Sequence, residues 1–193
     1  HPDEKWSSTG GVLARYASEG VRTVVVTCTN GELGDGPGGL KPGAEGHGHA
    51  ERVVIVTGGS SGIGYAIAKA FAQERARVVI TARRPGPLNE AAEALTALTG
   101  GVIVGIASDT TEQTQVDALV DAVSARYSRV DVLVNCAASP SGLVRNRIEE
   151  LDAATLLHDL NTKVVGYARC CKAVVPLMKR QRWGRILNIG GFT

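Results

Sequence analysis

The stretch Arg52-Val53-Val54-Ile55-Val56-Thr57-Gly58-Gly59-Ser60-Ser61-Gly62-Ile63-Gly64, running on into Tyr65-Ala66-Ile67-Ala68-Lys69, decides the fold. Val53–Val56 reads as a strand and Ile63–Gln73 as a helix. Between them the glycines fall at three useful places. Gly58 lets the chain turn sharply off the strand, Gly62 removes a side chain where a phosphate must approach the backbone, and Gly64 lets the helix pack close to the sheet. The helix N-terminus adds free N–H groups and a partial positive charge. A glycine trio alone signals no more than a tight turn. Here strand, glycines and helix occur in register, which points to a phosphate-binding loop over residues 58–64, with Ser60, Ser61 and Ile63 in its wall.

Downstream of that loop, strand and helix patterns alternate. Strands are expected at Arg77–Thr81, Val102–Ala107, Val130–Asn135 and Arg185–Ile189. Helices are expected at Leu88–Leu98 and Thr111–Arg126, with one long helix roughly from Ala153 to Arg180. Such alternation predicts an α/β fold: a doubly wound parallel sheet with right-handed crossovers and helices on both faces, three layers in all. Upstream, Gly10–Glu19 has helical spacing and Val21–Cys28 is a β-branched run that reads as a buried strand, so a short α/β appendage is expected at the N-terminus. Residues 31–50 are dense in glycine and proline and read as a loop or linker.

The bulk numbers restrict the function classes. The chain has 193 residues, 44% of them hydrophobic and 21% charged, enough to bury a core. A formal charge of +2, with basic residues scattered apart from Arg83–Arg84 and Lys179–Arg180–Arg182, argues against a nucleic-acid or membrane partner. No apolar run approaches the ~20 residues of a membrane span. The chain opens His1-Pro2-Asp3-Glu4-Lys5 with no initiator Met and no targeting signal, so it reads as cut at its start. Cys28, Cys136, Cys170 and Cys171 show no paired spacing, which fits reduced thiols and a cytoplasmic location.

Taken together these segments resemble the short-chain dehydrogenase/reductase family. Thr57-Gly58-Gly59-Ser60-Ser61-Gly62-Ile63-Gly64 looks like its T-G-x-x-x-G-x-G fingerprint. Ser108-Asp109 resembles the segment whose acid bonds the adenine, Asn135-Cys136-Ala137-Ala138 resembles the N-x-A-G segment, and the region before Gly191 resembles the approach to the catalytic serine. The resemblance covers about residues 51–193. It implies a Rossmann-type NAD(P)-binding domain with Gly58, Ser60, Ser61, Gly62, Ile63, Gly64, Asp109, Asn135 and Ala137 around the cofactor, and a small carbonyl or alcohol substrate. The second strand ends in Ala82-Arg83-Arg84 where an Asp would favour NAD(H). Guanidinium groups suit a 2′-phosphate, so NADP(H) is favoured over NAD(H), with Arg83 and Arg84 as its contacts.

The catalytic set is expected to be incomplete. The resemblance carries over only Asn161 as a catalytic residue. Gly191 stands at the serine position, and the chain stops at Thr193, before the helix that would bring Y-x-x-x-K. Tyr65 and Lys69 have that spacing but sit on the phosphate-binding helix, where they read as ordinary helix positions.

Residues 1–46 resemble the opening of the zinc-dependent N-acetylglucosaminyl deacetylase family. By that resemblance His1 and Glu4 would be metal ligands and Asp3 the general base. Two ligands do not make a catalytic zinc site, so zinc is not expected to be functional; His47 and His49 read as part of a solvated tract. An N-acyl amino-sugar deacetylase and a non-catalytic Rossmann module are the alternatives to the oxidoreductase reading. Because the last strand would leave an unpaired apolar edge, Val21–Cys28 is expected to pair beside Arg185–Ile189, a homodimer (the simplest homo-oligomer) through that edge or a poorly folded N-terminal piece being the alternatives.

Overall fold

The structure, a computed structural model, describes residues 22–28, 51–138 and 152–191. The N-terminal helix at Gly10–Glu19, the linker and the residues His1, Asp3, Glu4, His47 and His49 lie outside the described residues. Six strands form one sheet: β1 (Arg22–Cys28), β2 (Val53–Thr57), β3 (Arg77–Thr81), β4 (Val102–Gly105), β5 (Val132–Asn135) and β6 (Arg185–Gly191). Their order is β1-β6-β5-β2-β3-β4, and every pairing is parallel. The crossover helices are α1 (Gly62–Gln73), α2 (Pro85–Thr99), α3 (Gln113–Tyr127), α4 (Ala153–Leu160) and α5 (Gly166–Arg180). No helix among the described residues is long and apolar enough to cross a membrane.

Strand alternation divides the core in two. Val54, Val56, Val78, Ile80, Val132 and Val134 face Ala68, Ala72, Leu88 and Leu95 of α1 and α2. Val53, Ile55, Val79, Leu133 and Ile186 face Val116, Leu119 and Val123 of α3 and Val174 and Met178 of α5. Both faces are covered, which is why β2 is an unbroken apolar run with every residue buried.

Element ends shift where local polar bonds take over from periodicity. α2 begins at Pro85, earlier than the apolar spacing suggests, because proline is pre-set for the first helical turn. α3 begins at Gln113, since Asp109 Oδ1 accepts from the N–H and hydroxyl of Thr111 and holds that stretch as a turn. β5 begins after Asp131. This buried carboxylate accepts from the Val53 N–H at 2.8 Å and from Arg129 Nε at 2.8 Å and Nη2 at 2.6 Å, fixing the entry of both central strands. The hydrogen bond to Asp131 also raises the Arg129 pKa above its ordinary value. On the same edge, Arg52 and Arg185 stack over Trp183 at 3.8 and 4.7 Å from its centroid.

The single long helix expected over 153–180 is instead α4, a π-helical turn at Asn161–Val165, and α5. Thr162 lies in that turn and donates its hydroxyl to the His158 carbonyl, a back-bond that competes with regular helix hydrogen bonding.

The N-terminal strand pairs where the sequence placed it. β1 lies parallel to β6 over its full length, from Arg22 opposite Arg185 to Cys28 opposite Gly191, and so covers that edge of the sheet. A chain starting at Glu51 is therefore expected to self-associate more strongly than the full chain at equal concentration, read by size-exclusion chromatography with light scattering. Equal behaviour would show that β6 needs no cover.

Three buried acids on and around α5 make a second test. Burial pushes the thiols of Cys170 and Cys171 up from 9.0 to about 12 and about 11, and raises the Tyr167 phenol. Their folded-state pKa values exceed the unfolded ones, so their contribution to stability is fully present below pH 9 and is lost as pH rises through 11 to 12. Urea unfolding midpoints should fall between pH 8 and 10.5, each thiol removing up to about 1.4 kcal/mol per pH unit above 9. The Cys170→Ala/Cys171→Ala variant should show a shallower fall; an unchanged slope would exclude the thiols as its cause.

Candidate functional site

The strand order reverses between β2 and β5. A doubly wound sheet opens a crevice at that point. Here it is a cleft of about 850 Å³, a size suited to a small organic ligand.

Its floor is drawn together by one hydroxyl. Thr57 Oγ1 accepts from the N–H groups of Cys136 at 3.0 Å and Ala137 at 3.1 Å, and lies 3.4 Å from the Val134 carbonyl, to which it donates. Gly58, at φ +67°, passes directly over this junction: a Cβ there would stand 2.9 Å from the Cys136 carbonyl oxygen. A Cβ at Gly64 would overlap the Gly58 carbonyl, so α1 starts tight against the turn. Gly62, at φ +56°, has open space where its Cβ would be, between Ser61 and Ile63, which both line the cleft.

The predicted residues divide into two groups. Gly58, Ser60, Ser61, Ile63, Gly64, Arg83, Arg84, Asp109 and Ala137 line the cleft together. Arg83 and Arg84 are exposed and follow β3 directly. Gly62, Asn135 and Asn161 are not among its lining residues. Alternation along β5 turns Asn135 to the α5 face, where it is fully buried and its amide donates to Asn188 Oδ1 at 2.8 Å and approaches Cys171 Sγ at 3.5 Å. It braces β5 against β6 below the cleft. Asn161 Oδ1 accepts from Arg169 Nη1 at 2.9 Å. The π-turn brings Thr162 and Lys163, not Asn161, to the cleft wall.

Four further lining residues carry chemistry the sequence did not single out as part of the site. Thr81, the last residue of β3, and Ser108, three residues after β4, are buried, and their hydroxyls have no hydrogen-bond partner among the described residues. Buried hydroxyls without partners are costly unless a ligand or water supplies one. Lys163 and Tyr167 stand one helical turn apart. The Tyr167 hydroxyl reaches the carbonyls of Ala137 at 3.2 Å and Ile189 at 3.1 Å, strapping α5 to the ends of β5 and β6. Burial first, then the neighbouring Cys136, Cys170 and Asp159, raise its pKa, so it stays a neutral donor. No group of three or more His, Cys, Asp or Glu able to hold a metal occurs among the described residues.

Open space at Gly62 where α1 starts, two arginines and unpartnered buried hydroxyls in one cleft fit a dinucleotide.

Known proteins give the same picture. The short chain dehydrogenase family profile matches residues 52–192. An uncharacterized oxidoreductase of Bacillus subtilis is 35% identical over 139 residues, 72% of this chain and 52% of its own length. A 3-oxoacyl-[acyl-carrier-protein] reductase of Synechocystis is 35% identical over 140 residues, 72% of this chain and 55% of its own. Among solved structures, L-sorbose reductase from Gluconobacter frateurii, complexed with NADPH and L-sorbose, is 34% identical with a TM-score of 0.66, covering 72% of this chain and 52% of that one. NAD+-bound xylitol dehydrogenase is 25% identical with a TM-score of 0.67, covering 72% and 52%. The chain thus spans about half the length of the relatives it matches. Because that profile matches well over half of the chain, the chain belongs to the short chain dehydrogenase family.

Proposed function

We propose that this chain forms the dinucleotide-binding part of an oxidoreductase and takes NADP(H) in preference to NAD(H). The observation that carries this reading is the placement of Arg83 and Arg84, after β3, in the same cleft as the glycine loop. A guanidinium fork matches a phosphate monoester, and an Asp in that place would repel it. Ala82, where such an Asp would stand, leaves room for the added charge. The α1 N-terminus receives the diphosphate, and Thr81, Ser108 and Asp109 face the adenosine half. NADP-bound relatives with the same fold support the choice of ligand, among them a metagenomic short-chain oxidoreductase that is 29% identical with a TM-score of 0.65.

A bound nicotinamide supplies hydride exchange with a carbon that bears oxygen, so the reaction class is reduction of a carbonyl or oxidation of an alcohol. In this chain Gly191, at the family's serine position, offers no hydroxyl to a substrate carbonyl. We therefore extend the proposal to a chain that binds cofactor and is catalytically incomplete by the family's usual mechanism. A cytoplasmic location belongs to the same proposal and agrees with the buried thiols of Cys170 and Cys171.

Titration with NADPH and NADH, followed by ligand fluorescence, is the test. NADPH should bind at least about tenfold more tightly than NADH, and an Arg83→Ala/Arg84→Ala variant should remove the difference. Gly62→Asp, which sets a carboxylate against the diphosphate at a backbone angle that strains any side chain, should abolish binding of both while circular dichroism remains that of the folded chain. Equal affinities would end the NADP(H) preference, and no binding of either to the folded chain would end the dinucleotide reading.

A further inference from the structure

The cleft lies where the strands end. At the opposite end of the sheet, where the strands begin, the fold gathers charge that the sequence scatters. Arg185 starts β6, Arg129 and Asp131 lead into β5, Arg52 precedes β2 and Arg77 starts β3. These four strands are parallel neighbours in the order β6-β5-β2-β3, so their starts lie along one rim. At the usual ~4.8 Å between strands the row is about 14 Å long. A net charge of +2 gives no hint of it.

Two aromatic rings hold the row. The guanidinium groups of Arg52 and Arg185 lie 3.8 and 4.7 Å from the centroid of the Trp183 ring. Those of Arg77 and Arg126 lie 5.8 and 5.4 Å from the centroid of Tyr127. A guanidinium held by its face keeps the N–H donors of its edge for another partner, and it is already ordered before that partner arrives. The acids of the rim leave the two central strand arginines unpaired. Asp131 is fully buried and is taken up by Arg129 and the Val53 N–H. Glu51 and Glu74 are exposed. Arg52 and Arg77 are half-buried and have no carboxylate partner among the described residues. Helix ends account for other cations here. Arg126 and Arg180 stand in the last turns of α3 and α5, where a positive charge is favoured. Arg52 and Arg77 belong to strand starts and have no such reason.

We propose that this rim binds single-stranded nucleic acid, with phosphates on the guanidinium edges. The arginine fork matches phosphate oxygens. Guanidinium and aromatic planes also give bases of any sequence a surface to stack on. An acidic peptide would use the charges alone and leave those planes without a role. Scattered along the chain, the arginines argue against such a partner; gathered on one rim beside Tyr127 and Trp183, they suit it.

The test is fluorescence anisotropy of a labelled oligo(dT) of about twelve nucleotides. The full chain should bind it, and log K should fall with log salt at a slope of about −2 to −3, for three or four phosphates. Arg52→Gln/Arg77→Gln should weaken binding about tenfold at low salt and make the slope shallower by about 1.4. Saturating NADPH and the Arg83→Ala/Arg84→Ala variant should leave binding unchanged, because the cleft is at the other end of the sheet. Three results overturn the proposal. One is absence of binding by the folded chain. Another is unaltered affinity in Arg52→Gln/Arg77→Gln, which, with displacement by NADPH, would put the oligonucleotide in the cleft. The third is displacement by polyglutamate at equal charge concentration, which would make an acidic protein the partner. If circular dichroism shows that Arg52→Gln/Arg77→Gln does not fold, Arg75→Gln/Arg126→Gln is read in its place by the same criterion, since both residues are exposed on this rim.

Discussion

The junction between the ends of the parallel neighbours β2 and β5, at Thr57 and Gly58, is the constraint on which the rest of the structure depends. The Thr57 hydroxyl uses its acceptor capacity on two successive backbone N–H groups of the neighbouring strand's exit, at Cys136 and Ala137. That fixes how close the two strand ends come. Gly58 then has to pass over the Cys136 carbonyl with no room for a Cβ, in a backbone conformation that other residues adopt only with strain. With both strand ends pinned, α1 packs on one face of the sheet and α5 on the other. The cleft is the space left between them. Its position is thus set by backbone packing at the sheet's centre and does not depend on the polar residues that line it.

This explains which parts were legible in the sequence. The five strands from Val53 to Gly191 announce themselves because a parallel sheet covered on both faces demands long apolar runs, and the glycine loop does so because its constraint acts on the backbone. Ends were less legible. Asp109 and Asp131 are polar residues whose side chains bond backbone N–H groups, and each moved the start of an element by about two residues from where apolar periodicity put it. Side-chain direction was less legible still. Asn135 and Ala137 are two apart and were read as equivalent cofactor contacts. Yet Asn135 is the last residue of β5 and obeys strand alternation, whereas Ala137 is beyond it and is free to face the cleft. Asn161 stands off the cleft wall for a related reason. A π-turn changes the angular step between residues, so the helical face that a 3.6-residue period assigns to Asn161 goes to Thr162 and Lys163.

The N-terminal strand shows a different kind of inference. Nothing in Arg22–Cys28 itself says where it pairs. The expectation came from a deficit elsewhere: an apolar parallel strand at Arg185–Gly191 leaves a row of unsatisfied N–H and C=O groups, and a β-branched segment with a linker of about twenty residues has the reach to meet them. Its parallel register, ending with Cys28 beside Gly191, brings the C-terminal end of β1 to the same side of the sheet as the cleft. The first strand of the chain therefore belongs to the same layer as the nucleotide-binding strands.

Lys163 and Tyr167 invite comparison with the paired Tyr and Lys of the family's chemistry, since they too stand one turn apart on a helix beside the cleft. Electrostatics separates the two cases. A tyrosine that moves a proton near neutral pH needs its pKa brought down from about 10 by a nearby cation. Tyr167 is moved the other way, by burial and by negative or potentially negative neighbours at Cys136, Cys170 and Asp159, and its hydroxyl is already committed to two strand-end carbonyls. Lys163 cannot reverse this, because its charge is balanced at Asp159. The Lys163–Asp159 pair thus leaves Tyr167 without the cation that would lower its pKa. Among the described residues, then, the cleft is furnished for binding, by strand ends, a helix start and three cations, and binding and proton transfer are physically separable in this fold.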